Sequence, residues 1–137
     1  MNIEIIFYGD KPVQDNQLKF AVIMAKYKGK WILSKHKERT TWEIPGGRRE
    51  REESIDNTAK RELKEETGAQ KFNIKPVSVY SVKREEESFG KLYYAEVQKL
   101  GKLPDLEIGE IKLFDQLPSN LTYPQIQPQL FKKVANN

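Results

Sequence analysis

Residues 47–69 read GRREREESIDNTAKRELKEETGA, and the fold class turns on how this stretch divides into loop and helix. Ser54 is a good N-cap, because its hydroxyl can accept from a backbone N–H left free in the first helical turn. Ile55, Ala59 and Leu63 then recur every four residues, the spacing of one helical face. Gly68 stands where a left-handed residue closes a helix. The spacing therefore predicts a helix over 54–67, entered from a charged loop. At about 100° per residue, Glu62, Glu65 and Glu66 fall within one arc that borders the Ile55/Ala59/Leu63 stripe. These carboxylates are expected at the edge of the core rather than on the solvated face.

Upstream, Ile3 to Tyr8 and Lys19 to Tyr27 are rich in β-branched and aromatic residues and read as strands. Lys28-Gly29-Lys30 is a turn leading into Trp31-Ile32-Leu33, which makes a hairpin. Thr40 to Ile44 reads as a short strand, stopped by a turn at Pro45-Gly46-Gly47. Downstream, 72–83 and 92–97 read as strands around a charged connection at 84–90, and 111–114 as another. Pro128 opens a last amphipathic helix with Leu130, Phe131 and Val134 facing inward. Strands interleaved with two helices predict an α/β fold, a mixed sheet covered by helices, in one domain over 1–137.

Composition limits the chemistry. The 137 residues contain no cysteine and one histidine, His36. Disulfide frameworks, thiolate zinc sites and cysteine nucleophiles are excluded, and a serine–histidine triad is disfavoured. The longest apolar run, Phe20 to Ala25, is too short to span a membrane. Neither a signal peptide nor a disulfide demand is visible, so a cytoplasmic location is expected. Lys+Arg number 24 against 20 Asp+Glu, a net charge of +4 spread along the chain without a basic tract. That reads first as a solvated surface with a small surplus of lysine, and is compatible with a nucleic acid, an acidic lipid or a phosphorylated small molecule.

Like charges three and four apart on a helix repel, and more so when desolvated. Arg61 offsets part of this. A divalent cation would offset more, because Mg²⁺ takes oxygen ligands and bridges carboxylates to phosphates. The order of residues is the decisive signal: Gly47, five residues, Glu53, seven residues, then Arg61-Glu62-Leu63, any residue, Glu65-Glu66, any residue, Gly68-Ala69. A match of this kind arises by chance on the order of once in ten million. The stretch resembles the motif of the Nudix hydrolase family at every fixed position, with Ala69 a mild departure at the last aliphatic site.

The resemblance implies an α/β/α sandwich in which the motif forms loop–helix–loop. It implies metal-dependent hydrolysis, with Mg²⁺ or Mn²⁺, of a diphosphate linkage in a nucleoside triphosphate or related nucleoside diphosphate derivative. Carried onto this chain, Glu62, Glu65 and Glu66 are metal ligands, joined by the Gly46 carbonyl, and Glu62 is the candidate general base. Glu53 and Arg61 orient water and carboxylates. Arg39, Gly46, Gly47 and Arg48 are candidates for holding the substrate phosphates, as are Lys35, Lys37 and Arg49. One more acid from a later loop is expected at the metal, with Glu107 preferred over Glu85 to Glu87 and Glu110. Tyr8, Trp42 and Tyr123 are candidates to stack on a base. Residues 121–128, LTYPQIQP, are similar to the end region of Nudix enzymes that cleanse nucleotide pools, with Gln127 as nearest counterpart of the asparagine that reads oxidised guanine. The expected partner is a small-molecule nucleotide, with a homodimer left open. Two rivals are an RNA 5′-end pyrophosphohydrolase and a catalytically silent nucleotide- or partner-binding domain.

Overall fold

The computed structural model describes residues 2–9 and 11–136. Seven strands, β1 (Glu4–Gly9), β2 (Leu18–Tyr27), β3 (Lys30–His36), β4 (Gly46–Arg48), β5 (Ala69–Lys83), β6 (Glu87–Leu100) and β7 (Ile108–Phe114), share one sheet with two helices, α1 (Ile55–Thr67) and α2 (Gln127–Ala135). The strand order is β1-β5-β6-β2-β3-β7, with β4 added against β2. Among the described residues only β2 and β6 pair as parallel strands, so the sheet is mixed, as expected.

Alternation along the strands builds two cores, because successive side chains point to opposite faces. On β2, Ala21, Ile23 and Ala25 face the stripe Ile55, Ala59 and Leu63 of α1, together with Tyr93, Ala95 and Val97 of β6. Met24 of β2 and Leu92 of β6 turn the other way, toward Leu130 and Val134 of α2. The result is the α/β/α sandwich, one helix on each face. Burying an aliphatic side chain in either layer contributes about 1.5–3 kcal/mol.

The caps of α1 are those anticipated. Ser54 Oγ accepts from the Asn57 amide at 3.1 Å, and Gly68 takes φ +79° while its amide donates to Lys64 O. In α2, Leu130 and Val134 are buried, whereas Phe131 stays half-buried, edge-on to Trp31 at 5.4 Å.

Several strand boundaries differ from expectation, β5 among them, which begins at Ala69. Residues 40–44 form no ladder, only isolated bridges Ser34–Glu43 and Trp42–Leu121. Instead the glycines expected in a turn are the strand: Gly46, Gly47 and Arg48 pair with Val22, Ala21 and Phe20. The reason is a splay in the sheet. β2 and β3 pair only at Lys26–Trp31 and Tyr27–Lys30, beside the hairpin turn. Farther along, β3 leaves to pair with β7, and β4 occupies the freed edge of β2, fastened by Ile23 N to Pro45 O at 2.8 Å. Strands β6 and β7 also begin earlier than the apolar runs suggested, at Glu87 and Ile108.

Candidate active site

β4 lies against the second half of α1, and the contact is closer than most side chains would permit. A Cβ on Gly47 would stand 1.3 Å from Glu62 Oε2, so only glycine leaves room for that carboxylate. One residue earlier, the Gly46 amide donates to Glu66 Oε1 at 2.9 Å. Strand and helix are thus joined through two of the three motif glutamates.

Arg61 organises the rest. Its Nε and Nη2 donate to the two oxygens of Glu53 at 2.7 and 3.0 Å, a bidentate pair. Its Nη1 reaches Glu62 Oε1 at 3.1 Å and Glu65 Oε1 at 3.3 Å, and Nη2 also meets the Arg48 carbonyl at 3.0 Å. Glu53 is held further by Thr58 Oγ1 at 2.7 Å and the Glu50 amide at 3.1 Å. Thr58, fully buried, is a support that reading the sequence missed. Its place four residues after the N-cap, facing back toward the loop, was the available signal.

The electrostatics sort the acids into two kinds. The Arg61 hydrogen bonds, with those of Thr58 and the Glu50 amide, lower Glu53 to about 2. Burial pushes Glu62 up to about 7, aided by Glu65 and the field of Glu107 and opposed by Arg61. Burial likewise raises Glu66 to about 8, against the Gly46 amide and with repulsion from Glu62, Glu43 and Glu107. Glu43, 8% exposed, is an acid that reading the sequence passed over. Its signal was a carboxylate between Trp42 and Ile44, just before Pro45.

This donor set fits a hard divalent cation. The donors are all oxygens, and the burial of negative charge that lifts Glu62 and Glu66, with their mutual repulsion, is what a cation offsets. Among the described residues no three acidic or imidazole groups converge on one point: Glu62 and Glu65 turn to Arg61, and Glu66 to the Gly46 amide. Glu107 is mostly exposed and lies 3.8 Å from His36 Nε2, away from direct contact with the ridge. Among its competitors, Glu110 pairs with Lys35 at 3.1 Å, and Glu87 accepts from Tyr8 and Ser81 at 2.6 Å each.

On the opposite side of β4 opens a cleft of about 380 Å³. Gly46, Gly47 and Arg48 form one wall, and Phe20, Val22, Ile44, Tyr80, Val82, Tyr123, Ile126, Gln127 and Leu130 line much of the rest. Arg48 is exposed at this wall. Arg39 bonds Glu43 at 3.1 Å, and the nearby Tyr123 hydroxyl and Glu43 both favour its charge. Three basic candidates have other partners. Arg49 is tied to Glu53 O, Asp15 and Leu18 O, Lys35 to Glu110 and Lys37 to Asp105. Tyr123 is exposed beside the cleft, whereas Trp42 is buried against Phe114 and Tyr8 lies at β1 against Phe89.

Comparison with known proteins agrees with this architecture. A family model described as the NUDIX domain matches residues 15–131. A Bacillus subtilis (strain 168) protein carrying the provisional name 8-oxo-dGTP diphosphatase YtkD is 37% identical over 117 residues, 84% of this chain and 73% of that protein. The crystal structure of a mutant of the Bacillus subtilis pyrophosphohydrolase BsRppH superposes with a TM-score of 0.80 at 30% identity, covering 98% of this chain and 90% of that one. The NUDIX domain of Shewanella oneidensis NrtR, solved with ADP ribose, shares the fold with a TM-score of 0.69 at 18% identity, over 94% of this chain and 92% of that one.

Proposed function

The chain belongs to the NUDIX family and is a pyrophosphohydrolase; from that premise we propose that it converts a nucleoside triphosphate to the monophosphate and pyrophosphate, acting as a single domain over 1–137. The observation that carries this reading is the pairing across β4 of an acidic ridge with an apolar cleft of about 380 Å³. Phosphates belong on the first side and a base on the second. Glu62, Glu65, Glu66 and the Gly46 carbonyl would hold Mg²⁺ or Mn²⁺, with Glu107 as the added acid, and the cation when bound neutralises diphosphate oxygens and eases deprotonation of water. Glu62 would act as the general base, being a buried carboxylate that Arg61 fixes at the ridge. Arg61 and Glu53 keep Glu62 in place. Arg48 and Arg39, with the β4 backbone at Gly46 and Gly47, orient the phosphates for in-line attack. Tyr123 stacks on the base.

The experiment is a panel of nucleoside triphosphates and diphosphate derivatives with Mg²⁺ or Mn²⁺, scored for monophosphate and pyrophosphate. Cleavage of a triphosphate to these two products is expected. Failure to cleave any triphosphate would overturn the substrate assignment. Triphosphorylated oligonucleotides added as competitors separate the RNA-end reading, which requires them to inhibit below the KM of the free nucleotide.

A further inference from the structure

The loop that leads into α1 is fastened from within by one cation. Arg49 is half-buried, and its planar fork donates to four acceptors on three residues. Nε reaches the Glu53 carbonyl at 2.6 Å. Nη1 reaches the Asp15 carbonyl at 2.8 Å and the Leu18 carbonyl at 3.3 Å, and Nη2 meets the Asp15 carboxylate at 2.8 Å. The Arg49 amide adds a bond to Lys19 O at 2.8 Å. The chain ahead of α1 is thereby tied to the entry of β2. The Asp15 side chain is exposed, so its ion pair contributes little. The three carbonyls weigh more, because a charged donor makes the stronger hydrogen bond and a backbone acceptor left without one is costly.

Between Arg49 and Glu53 the chain turns tightly. The Glu53 amide donates to Glu50 O at 3.2 Å, and Glu52, third residue of that turn, takes φ +65°. A positive φ at that place favours glycine or asparagine. A left-handed glutamate persists only where its surroundings over-determine it. Glu52 itself is exposed, so the constraint comes from the two ends of the turn. Arg49 is held at β2, and Glu53 is held twice: its carbonyl by Arg49, its carboxylate by Arg61 and Thr58.

We propose that Arg49 is a positioning residue for the acidic ridge: it keeps the strained turn closed, so that Glu53 meets Arg61 and Arg61 keeps Glu62 and Glu65 in place. The proposal deepens the reading of the ridge given above and rests on it. It also removes Arg49 from the candidates for holding phosphates, since its donors face the loop. A lysine cannot do this work, because a single nitrogen does not span Glu53 O, Leu18 O and Asp15 together. A phosphate contact would tolerate the same change, since lysine serves phosphates as a point charge.

The test compares the unaltered protein with Arg49→Lys, Glu53→Gln and the double variant. The first readout needs neither cation nor substrate: hydrogen exchange of arginine Nε–H groups, followed by NMR in EDTA. In the unaltered protein the Arg49 and Arg61 groups should exchange at least about tenfold more slowly than that of exposed Arg51. In Arg49→Lys the Arg61 group should exchange about fivefold faster, its bond to Glu53 loosened. The second readout is steady-state turnover of the triphosphate cleaved in the panel. Arg49→Lys should lower kcat about tenfold with KM within about twofold. The double variant should match Glu53→Gln within about twofold, because both changes act through one residue. An Arg49 group that exchanges as fast as that of Arg51 overturns the proposal, whether or not any variant folds. So does an Arg61 group indifferent to Arg49→Lys, and so do losses that multiply in the double variant. A KM that rises at constant kcat overturns it too, and returns Arg49 to the phosphates. If no triphosphate is cleaved, the proposed reaction fails, and the exchange rates alone decide whether Arg49 holds Glu53 to Arg61.

Discussion

β4 divides two regions assembled in opposite ways. On the α1 side, the acids, their arginine and the glycine that makes room for them come from one continuous stretch of chain, Gly46 to Glu66, and are tied to one another by charged hydrogen bonds. On the α2 side, the cleft is gathered from β2, β5 and the segment around Tyr123 and Gln127, distant in sequence and joined mainly by apolar packing. The first region needs mutual geometry among charges, which a short segment can supply. The second is mainly a matter of shape, and its lining can come from anywhere in the sheet. Damage should divide accordingly, with turnover lost on one side and affinity or selectivity on the other.

The largest separation should come from Glu62→Gln, which keeps shape and removes the proposed base. A fall in kcat of about a thousandfold with KM within a few-fold is expected in steady-state assays; near-normal turnover would remove Glu62 from the chemistry. Gly47→Ala attacks the same side through space alone. Displacement of Glu62 by the new methyl should cost about a hundredfold in kcat, while circular dichroism shows the same fold.

The pH dependence of stability reads the same asymmetry without turnover. Glu62 and Glu66 have raised values in the folded chain, about 7 and 8 against an ordinary 4.5. Between roughly pH 4.5 and 8 the folded state then binds more protons than the unfolded one, so stability falls as pH rises through that window. Denaturant titrations in EDTA should record a loss of about 2 kcal/mol, which Mg²⁺ or Mn²⁺ diminishes. Glu53 acts in the opposite sense: its contribution is complete above 4.5 and disappears as pH falls toward 2.

Across β4 the signature should change. Tyr123→Ala is expected to raise KM about five- to tenfold with kcat nearly constant, and an equal fall in kcat would erase the distinction between the two regions. The smallest effect belongs to Glu107→Gln. From its exposed position beside His36 it should change kcat about threefold; a loss as large as that of Glu62→Gln would make it an essential ligand.

How much of this was readable in advance follows the same division. The α1 segment was legible down to its caps and the ridge of Glu62, Glu65 and Glu66 at the edge of the core, because helix periodicity and capping act over a few residues. The α2 side was legible only at Tyr123 and Gln127, through resemblance. Tyr80 reaches the cleft only because β5 places it beside Phe20 of β2. β4 was misjudged because two adjacent glycines have turn chemistry locally, and only the divergence of β3 from β2 makes them a strand. Glu43 and Thr58 went unnoticed for a related reason: each is ordinary in its own segment and acquires its role from a residue on another element or loop.

Arg61 has a consequence of its own. A guanidinium keeps its proton throughout the ordinary pH range, and this one reaches Glu53, Glu62 and Glu65 together. The enzyme thus carries a permanent internal counter-ion. On the proposed reading of this ridge as a cation site, the glutamates would keep a standing partner while the cation is away, and binding would exchange hydrogen bonds at a scaffold already assembled.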